Sequence, residues 1–239
     1  MAQSPSKSAV RNKLLAVLPS DALARLLPKL HAVTLPVRKT LLVPQERIEA
    51  VYFIESGWVS MVAHLDDGTQ AEVGLVGFEG MVGLPLVLGV DTAFTDTYMQ
   101  ASGTGLQMEA TAFQRELEDN PALHRLLLRY SEAMHAQAMQ TAACNGRHNL
   151  EQRLARWLLM AHDRTEGDVL PLTQEFLSLM LCVYRPSITL VARVLQRTGI
   201  ISYGNSSKGS IVILDREALE DTACDCYKIV QERFKTLLG

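Results

Sequence analysis

Between Val33 and Glu109 the chain breaks into short β-rich runs separated by glycine turn signals, and this texture most limits what it can fold into. The runs are Leu41–Val43, Ala50–Ile54, Trp58–His64, Gln70–Val76, Tyr98–Ala101 and Gly105–Met108. Between them fall Glu55-Ser56-Gly57, Asp66-Asp67-Gly68 and Ser102-Gly103-Thr104. Many short strands at this spacing predict a small antiparallel barrel or roll. Asp66-Asp67-Gly68 is the strongest hairpin signal among them. Ahead of this region, leucines at helical spacing from Val10 to Leu30 predict helix, with Ser20 and Asp21 placed to cap a second piece.

After the roll the period changes. Asn120-Pro121 has an N-capping residue followed by a proline at the first helical position. The helix it opens is expected to run to about Cys144 and end at Asn145-Gly146. Leu123, Leu127, Tyr130, Met134, Ala138 and Thr141 form one near-heptad stripe on it. Such a stripe fits a helix packed on its own roll, and it equally fits a coiled-coil dimer seam. A further helix is expected from Leu150 to about His162.

Charge separates the C-terminal part from the rest. No acidic residue lies between Phe176 and Leu214, whereas Arg185, Arg193, Arg197 and Lys208 do. The segment parses as two short helices joined by a tight turn, with Thr173 capping the first and Pro186 in the first turn of the second. Thr198-Gly199 ends the second helix. Runs at Ile200–Tyr203 and Ser210–Leu214 then flank a Gly/Asn/Ser/Lys tip. That pattern is a winged helix-turn-helix. From Arg147 onward there are 12 basic and 11 acidic residues, against 11 and 15 before it. A surface free of carboxylates can neutralise phosphates and release their counterions, so the C-terminal part is the one expected to meet double-stranded DNA.

With roll, long helix and winged pair in this order, the chain resembles the Crp/Fnr family of bacterial transcription regulators. The resemblance runs from about Ala16 to Leu237. It is most specific in Ser178, Leu181, Cys182-Val183 and the stretch from Pro186 to Ile201, with Gly57-Trp-Val-Ser and Val76-Gly-Phe-Glu-Gly-Met-Val-Gly-Leu-Pro resembling the sensory roll. It implies an α+β chain in three parts. Residues 1–119 would hold the N-terminal helices and a cyclic-nucleotide-binding-like antiparallel roll, 120–146 the dimerisation helix, and 147–239 the DNA-binding domain. It also implies a homodimer through the long helix, with Leu123, Leu127, Tyr130, Met134, Ala138 and Thr141 as the interface.

On this reading Arg185, Ser187 and Thr189, at the start of the second helix, reach base edges. Thr173, Gln174, Arg193 and Lys208 contact phosphates. An activator of this kind would also meet RNA polymerase. The effector-pocket positions align with Gly83, Leu84, Thr95, Asp96 and Thr97. Where cyclic-AMP-binding members carry Gly-Glu and Arg-Ser/Thr pairs, this chain reads Gly83-Leu84 and Thr95-Asp96. A carboxylate there faces a phosphate with the wrong sign, so cyclic AMP is not expected to bind in the usual mode. The oxygen-sensing members' N-terminal cysteine cluster has no counterpart, because no cysteine precedes Cys144.

Other features bound the function. Hydrophobic content of 48% with 21% charged residues describes a globular chain. No apolar run is long enough to span a membrane, and the N-terminus lacks a secretory pattern, so a cytoplasmic location is expected. Cys182 reads as a small core residue of the helix turn. The Cys224-x-Cys226 pair reads either as chemically plain or as a thiol or metal sensor. The cysteine spacing is not a zinc pattern and no histidine pair sits at i, i+4, so neither a metal site nor a cofactor is expected. Two rival functions compare with this reading, and an enzyme is not expected. One is a small-molecule-sensing module that signals to a protein partner without DNA. The other is an enzyme on a cupin-like roll, for which His64 and His31 offer too few ligands.

Overall fold

A computed structural model of the protein describes residues 10–66, 68–203 and 209–238. The elements run α1 (Lys13–Ala16), α2 (Ser20–Leu26), a 3-10 turn at Leu27–Lys29, β1 (His31–Leu35), β2 (Thr40–Leu42), β3 (Ala50–His64), β4 (Gln70–Val76) and β5 (Met81–Val82). A 3-10 turn at Leu84–Leu88, β6 (Asp96–Glu109), α3 (Ala110–Asp119) and α4 (Pro121–Arg147) follow. The C-terminal part is α5 (Leu150–His162), β7 (Val169–Leu170), α6 (Gln174–Met180), α7 (Arg185–Arg197), β8 (Ile201–Tyr203), β9 (Ile211–Ile213), α8 (Arg216–Thr222) and α9 (Cys226–Leu238). The chain clusters into two compact units. One holds residues 1–61, 76–135 and 233–239, the other residues 62–75 and 136–232. Among the described residues no single helix is long and apolar enough to cross a membrane.

The first unit is the antiparallel roll. Its strands are ordered β1-β6-β3, with β2 on β6 and β5 on β3. Val51, Phe53, Ile54 and Val59 of β3 and Met99, Leu106 and Met108 of β6 are buried; β3 is covered on both faces over part of its length, since the consecutive Phe53 and Ile54 are both buried.

Two expected turns are not turns. Glu55-Ser56-Gly57 lies inside β3 and Ser102-Gly103-Thr104 inside β6, so four expected fragments are two long strands. The glycines are there for close approach. A Cβ on Gly57 would stand 2.6 Å from the Ala101 carbonyl oxygen, and one on Gly103 would overlap the Ser56 carbonyl. Gly57 also has φ +71, a conformation that favours glycine. The Ser56 and Thr104 hydroxyls lie 3.0 Å apart across this crossing. β1 and β5, of five and two residues, are too short to stand out in the sequence.

Asn120 does cap α4. Its Oδ1 accepts from the Leu123 amide at 3.2 Å, and its amide donates to the Ala22 carbonyl. The helix continues through Asn145-Gly146 to Arg147, because Gly146 takes helical rather than left-handed torsions.

The stripe expected as the dimer seam is largely the roll's own core. Leu123, Leu127, Tyr130 and Met134 are buried in the first unit together with Leu126. The Tyr130 hydroxyl bonds the Met81 main chain, accepting from its amide at 3.2 Å and donating to its carbonyl at 3.3 Å. Ala138 and Thr141 lie outside that core. The face of α4 left exposed carries Leu128, Glu132, His135, Ala138, Met139, Ala142 and Ala143.

The second unit contains the hairpin of residues 62–75. Gly68 has φ +79 and the Leu65 amide bonds the Thr69 carbonyl at 2.9 Å. Asp67, the middle of the expected Asp-Asp-Gly turn, lies outside the described residues. α5 begins with a reciprocal capping box, Asn149 with Gln152. Its buried face of Leu154, Ala155, Leu158 and Leu159 belongs to a core with Leu177, Ile188, Ala192, Leu195 and Leu219. A three-stranded sheet ordered β7-β9-β8 flanks the helix pair. Its edge strand β7 follows the polar connection and, at two residues, leaves no sequence signal.

Candidate nucleic-acid interface

α6 and α7 cross with a bend of 113°, within the range of helix-turn-helix units. Thr173 caps α6, its Oγ1 accepting from the Phe176 amide at 3.1 Å. At the other end Leu181 closes α6 and Cys182 turns the chain at φ +51. Cys182 is exposed rather than part of the core, because the left-handed conformation aims its side chain away from the packed faces. Arg153 of α5 braces the turn, donating to the Leu181 carbonyl and, at 3.0 Å, to Asn145 Oδ1. Pro186 sits in the first turn of α7 and Gly199, at φ +76, follows its C-cap Thr198.

α7 buries Ile188, Ala192 and Leu195 and exposes Arg185, Pro186, Leu190, Arg193, Val194, Gln196 and Arg197. Arg185, Arg193 and Arg197 make no hydrogen bond or ion pair among the described residues. With no carboxylate from Phe176 to Leu214, three unpaired guanidiniums on one short helix leave a positive, solvated face. Two residues not expected at base edges from sequence stand out beside them. Leu190 is 66% exposed and Tyr184 79% exposed. Apolar side chains left in water on a positive helix suit the apolar edge of a base, such as the thymine methyl. Leu190 breaks the amphipathic pattern of α7, which is the signal the sequence offers.

The expected contact residues divide into two groups. Arg185 and Ser187 lie at the open N-terminal end of α7, Ser187 half-buried, and Arg193 lies one face-turn along. Gln174 and Thr189, by contrast, are bonded to each other. Thr189 Oγ1 donates to Gln174 Oε1 at 2.7 Å, and Gln174 Nε2 donates to the Tyr203 hydroxyl at 2.6 Å. This chain joins the start of α6, the middle of α7 and strand β8. Both side chains therefore hold the two helices and the wing strand in register instead of pointing freely outward. Burial pushes the Tyr203 phenol up from its ordinary value, so the hydroxyl keeps its proton across the working pH range. Lys208, expected at a basic tip between the two strands, lies outside the described residues.

The effector-pocket positions belong to the first unit. Gly83 takes φ +105 and is pressed against Val51, where a Cβ would come within 2.6 Å of its Cγ1. Leu84 opens the 3-10 turn and is half-buried. Thr95 and Thr97 are buried with their hydroxyls 3.3 Å apart, and Asp96 between them is half-buried. An open cleft on this unit is lined instead by Arg47, Glu49, Tyr52, Asp91, Gln107 and Glu109 among others.

The structure also gathers Cys144, His148, Cys224 and Cys226, with one ligand atom of each within 4.8 Å of all the others. No two histidines are four residues apart, but His148 follows Cys144 by one helical turn and both meet the Cys-x-Cys pair, a grouping that the cysteine spacing alone does not show. The sequence signal is a Cys-x3-His at the end of a helix, hidden because its partners lie 80 residues away. Burial is the main cause raising the Cys144 and Cys224 thiols, the latter up to about 12. Both are poor nucleophiles as free thiols.

The first unit is thus an antiparallel roll, and the second carries a helix-turn-helix flanked by a small three-stranded sheet. Residues 152–222 match the Crp-like helix-turn-helix domain, and the chain has the Crp/Fnr fold that its sequence resembles. FixK2 from Bradyrhizobium japonicum is similar at 16% identity and a TM-score of 0.69, over 82% of this chain and 98% of that one. A CRP-family transcriptional regulator from Thermus thermophilus matches at 22% identity and 0.66, over 80% and 96%. CLP from Xanthomonas campestris, described as a c-di-GMP responsive global regulator, matches at 19% and 0.64, over 82% and 100%. Among curated proteins none matches the chain in sequence.

Proposed function

We propose that this protein is a sequence-specific, DNA-binding transcription regulator that works in the cytoplasm as a homodimer. The observation that carries the reading is the exposed face of α7, where Arg185, Arg193 and Arg197 stand unpaired in a segment without carboxylates. Dimer symmetry sets two such helices in successive major grooves of a pseudo-palindrome. Arg185 and Ser187 read base edges, Arg185 pairing bidentately with guanine, and Leu190 packs on a thymine methyl. Arg193, Arg197, Thr173 at the start of α6 and Lys208, which lies outside the described residues, hold phosphates. Gln174 and Thr189, expected from sequence to touch DNA, position these groups through Tyr203.

The dimer forms along the exposed face of α4, through Leu128, His135, Ala138, Met139 and Ala142. The Leu123–Met134 stripe is already occupied by the roll. Small residues at Ala138, Ala142 and Ala143 permit close approach of two helices there. The roll does not take cyclic AMP in the usual mode. Its aligned positions offer a carboxylate, Asp96, and two paired threonine hydroxyls where a cyclic phosphate needs a cation.

Fluorescence anisotropy against fragments selected from a bacterial genome, repeated across a salt series, tests the proposal. A steep fall of affinity with salt is expected, about 0.9 in log–log slope per phosphate held. Binding that is absent at low salt, with a protein partner captured by the same face instead, would favour the signalling-module alternative.

A further inference from the structure

We propose that Cys144, His148, Cys224 and Cys226 form a structural zinc site in the DNA-binding unit. Cys144 closes the buried side of the last turns of α4, and His148 lies one turn on, just past the helix end, its amide bonded to the Cys144 carbonyl at 3.0 Å. Cys224 lies between α8 and α9 and Cys226 begins α9. The two pairs approach from opposite ends of the second unit's sequence, on either side of the helix-turn-helix.

The geometry fits one ion. Cys144 Sγ and Cys224 Sγ are 3.5 Å apart, as are Cys226 Sγ and His148 Nδ1. A tetrahedral zinc with bonds of about 2.3 Å to sulfur and 2.0–2.1 Å to nitrogen holds its ligand atoms roughly 3.5–3.8 Å from one another. An Sγ–Sγ distance of 3.5 Å is far beyond the ~2.05 Å of a disulfide. Four ligand atoms within 4.8 Å also leave no room for a cage of several metal atoms. Three sulfurs and an imidazole select a borderline-soft cation, and four protein ligands make a closed, structural site rather than a catalytic one.

The surroundings supply what a thiolate-rich site requires. Gln140 Nε2 donates to Cys226 Sγ at 3.0 Å, an outer contact that orients the ligand. Arg156, a buried guanidinium held by Thr141 Oγ1 at 2.9 Å, lies close enough to Cys144 to favour its anion. Three thiolates around a dication leave one net negative charge, and Arg156 offsets it. A purely apolar packing of thiols would need neither the imidazole nor the amide nor the buried cation. The ion would fasten the end of α4 to the α8–α9 junction and so close an 80-residue loop that contains the whole winged helix-turn-helix.

The test is metal content and spectroscopy of the full chain, purified without chelator under anaerobic conditions. Elemental analysis should find a single zinc ion per chain. Exchange for Co2+ should give the intense d–d bands of tetrahedral cobalt, with thiolate charge transfer. Cys224→Ser and Cys226→Ser should lose the ion, while Cys182→Ser, which changes an exposed thiol elsewhere, should keep it. Wild-type protein produced with ample zinc that nevertheless carries no ion and develops no cobalt–thiolate band overturns the proposal without recourse to any variant. So does a Cys144–Cys224 disulfide in metal-free protein, or a Cys182→Ser variant that loses metal equally. None of these readouts depends on DNA binding, so the two proposals fail separately.

Discussion

Leu127 and Leu128 are adjacent on α4, about 100° apart around its axis, one buried and the other exposed, so replacing each by alanine separates folding from association. Leu127 is fully buried in the roll core with Leu123, Leu126 and Tyr130. Its truncation removes about 1.5–3 kcal/mol of transfer free energy. The cavity left in a close-packed core raises the cost to roughly 3 kcal/mol or somewhat more. For a chain of this length that corresponds to a fall in Tm on the order of 6–12 °C.

Leu128 is 44% exposed within one chain, so Leu128→Ala should change the stability of a protomer by no more than about 0.5 kcal/mol. If its outer half is buried against a second copy, each truncation removes about 1 kcal/mol of association. Two per dimer then raise the dissociation constant roughly 30-fold. Sedimentation velocity across a concentration series, with thermal unfolding at each concentration, reads both quantities. Unaltered self-association in Leu128→Ala would refute the assignment of the seam. So would a Leu127→Ala protein that dissociates without losing thermal stability.

The same substitution should have opposite signs at two other sites. Gly103→Ala drives a Cβ into the Ser56 carbonyl and should cost about 3 kcal/mol, whereas Gly146→Ala, in open helical space, should gain about 0.5–1 kcal/mol in denaturant unfolding. Arg193→Ala should lower the salt slope of DNA binding by about 1.8 per dimer for every sequence, while Arg185→Ala should cost roughly 1–3 kcal/mol at the preferred site only; equal losses on all sequences would remove Arg185 from base reading. Gln174→Ala should weaken specific binding although it touches no DNA, and Tyr203→Phe, which removes the acceptor of its amide, should do the same in anisotropy. Titration calorimetry with cyclic AMP should show no saturable heat; tight binding would mean that Asp96 does not face the phosphate.

The helix pair is legible in the sequence because its signals are local. An N-cap at Thr173, a proline at 186, a glycine at 199 and the absence of carboxylates all act within one or two turns of where they are written. The roll is legible as a class but not in its strand count, because Gly57 and Gly103 look like turn residues. They are instead needed for a close crossing of two long strands, and only the partner strand reveals that. The stripe on α4 has the right period for either of two partners. Periodicity gives the direction of an apolar face but not what covers it, and the covering residues here are the roll's own Met81 and its neighbours. Gln174 and Thr189 look like free polar surface side chains until Tyr203 is brought to them from the wing strand. The thiol cluster is the least visible, since its halves lie 80 residues apart and only the packing of α4 against the α8–α9 junction joins them.

Hydroxyl-radical footprinting of a selected genomic fragment tests the central claim most directly, comparing the wild-type chain with one in which Arg185, Arg193 and Arg197 are alanine. Two mirrored protected half-sites, centred about 10–10.5 base pairs or a multiple of that apart, are predicted for the wild type, and no protection for the variant. A single unpaired footprint, or protection that survives loss of all three arginines, would contradict the account.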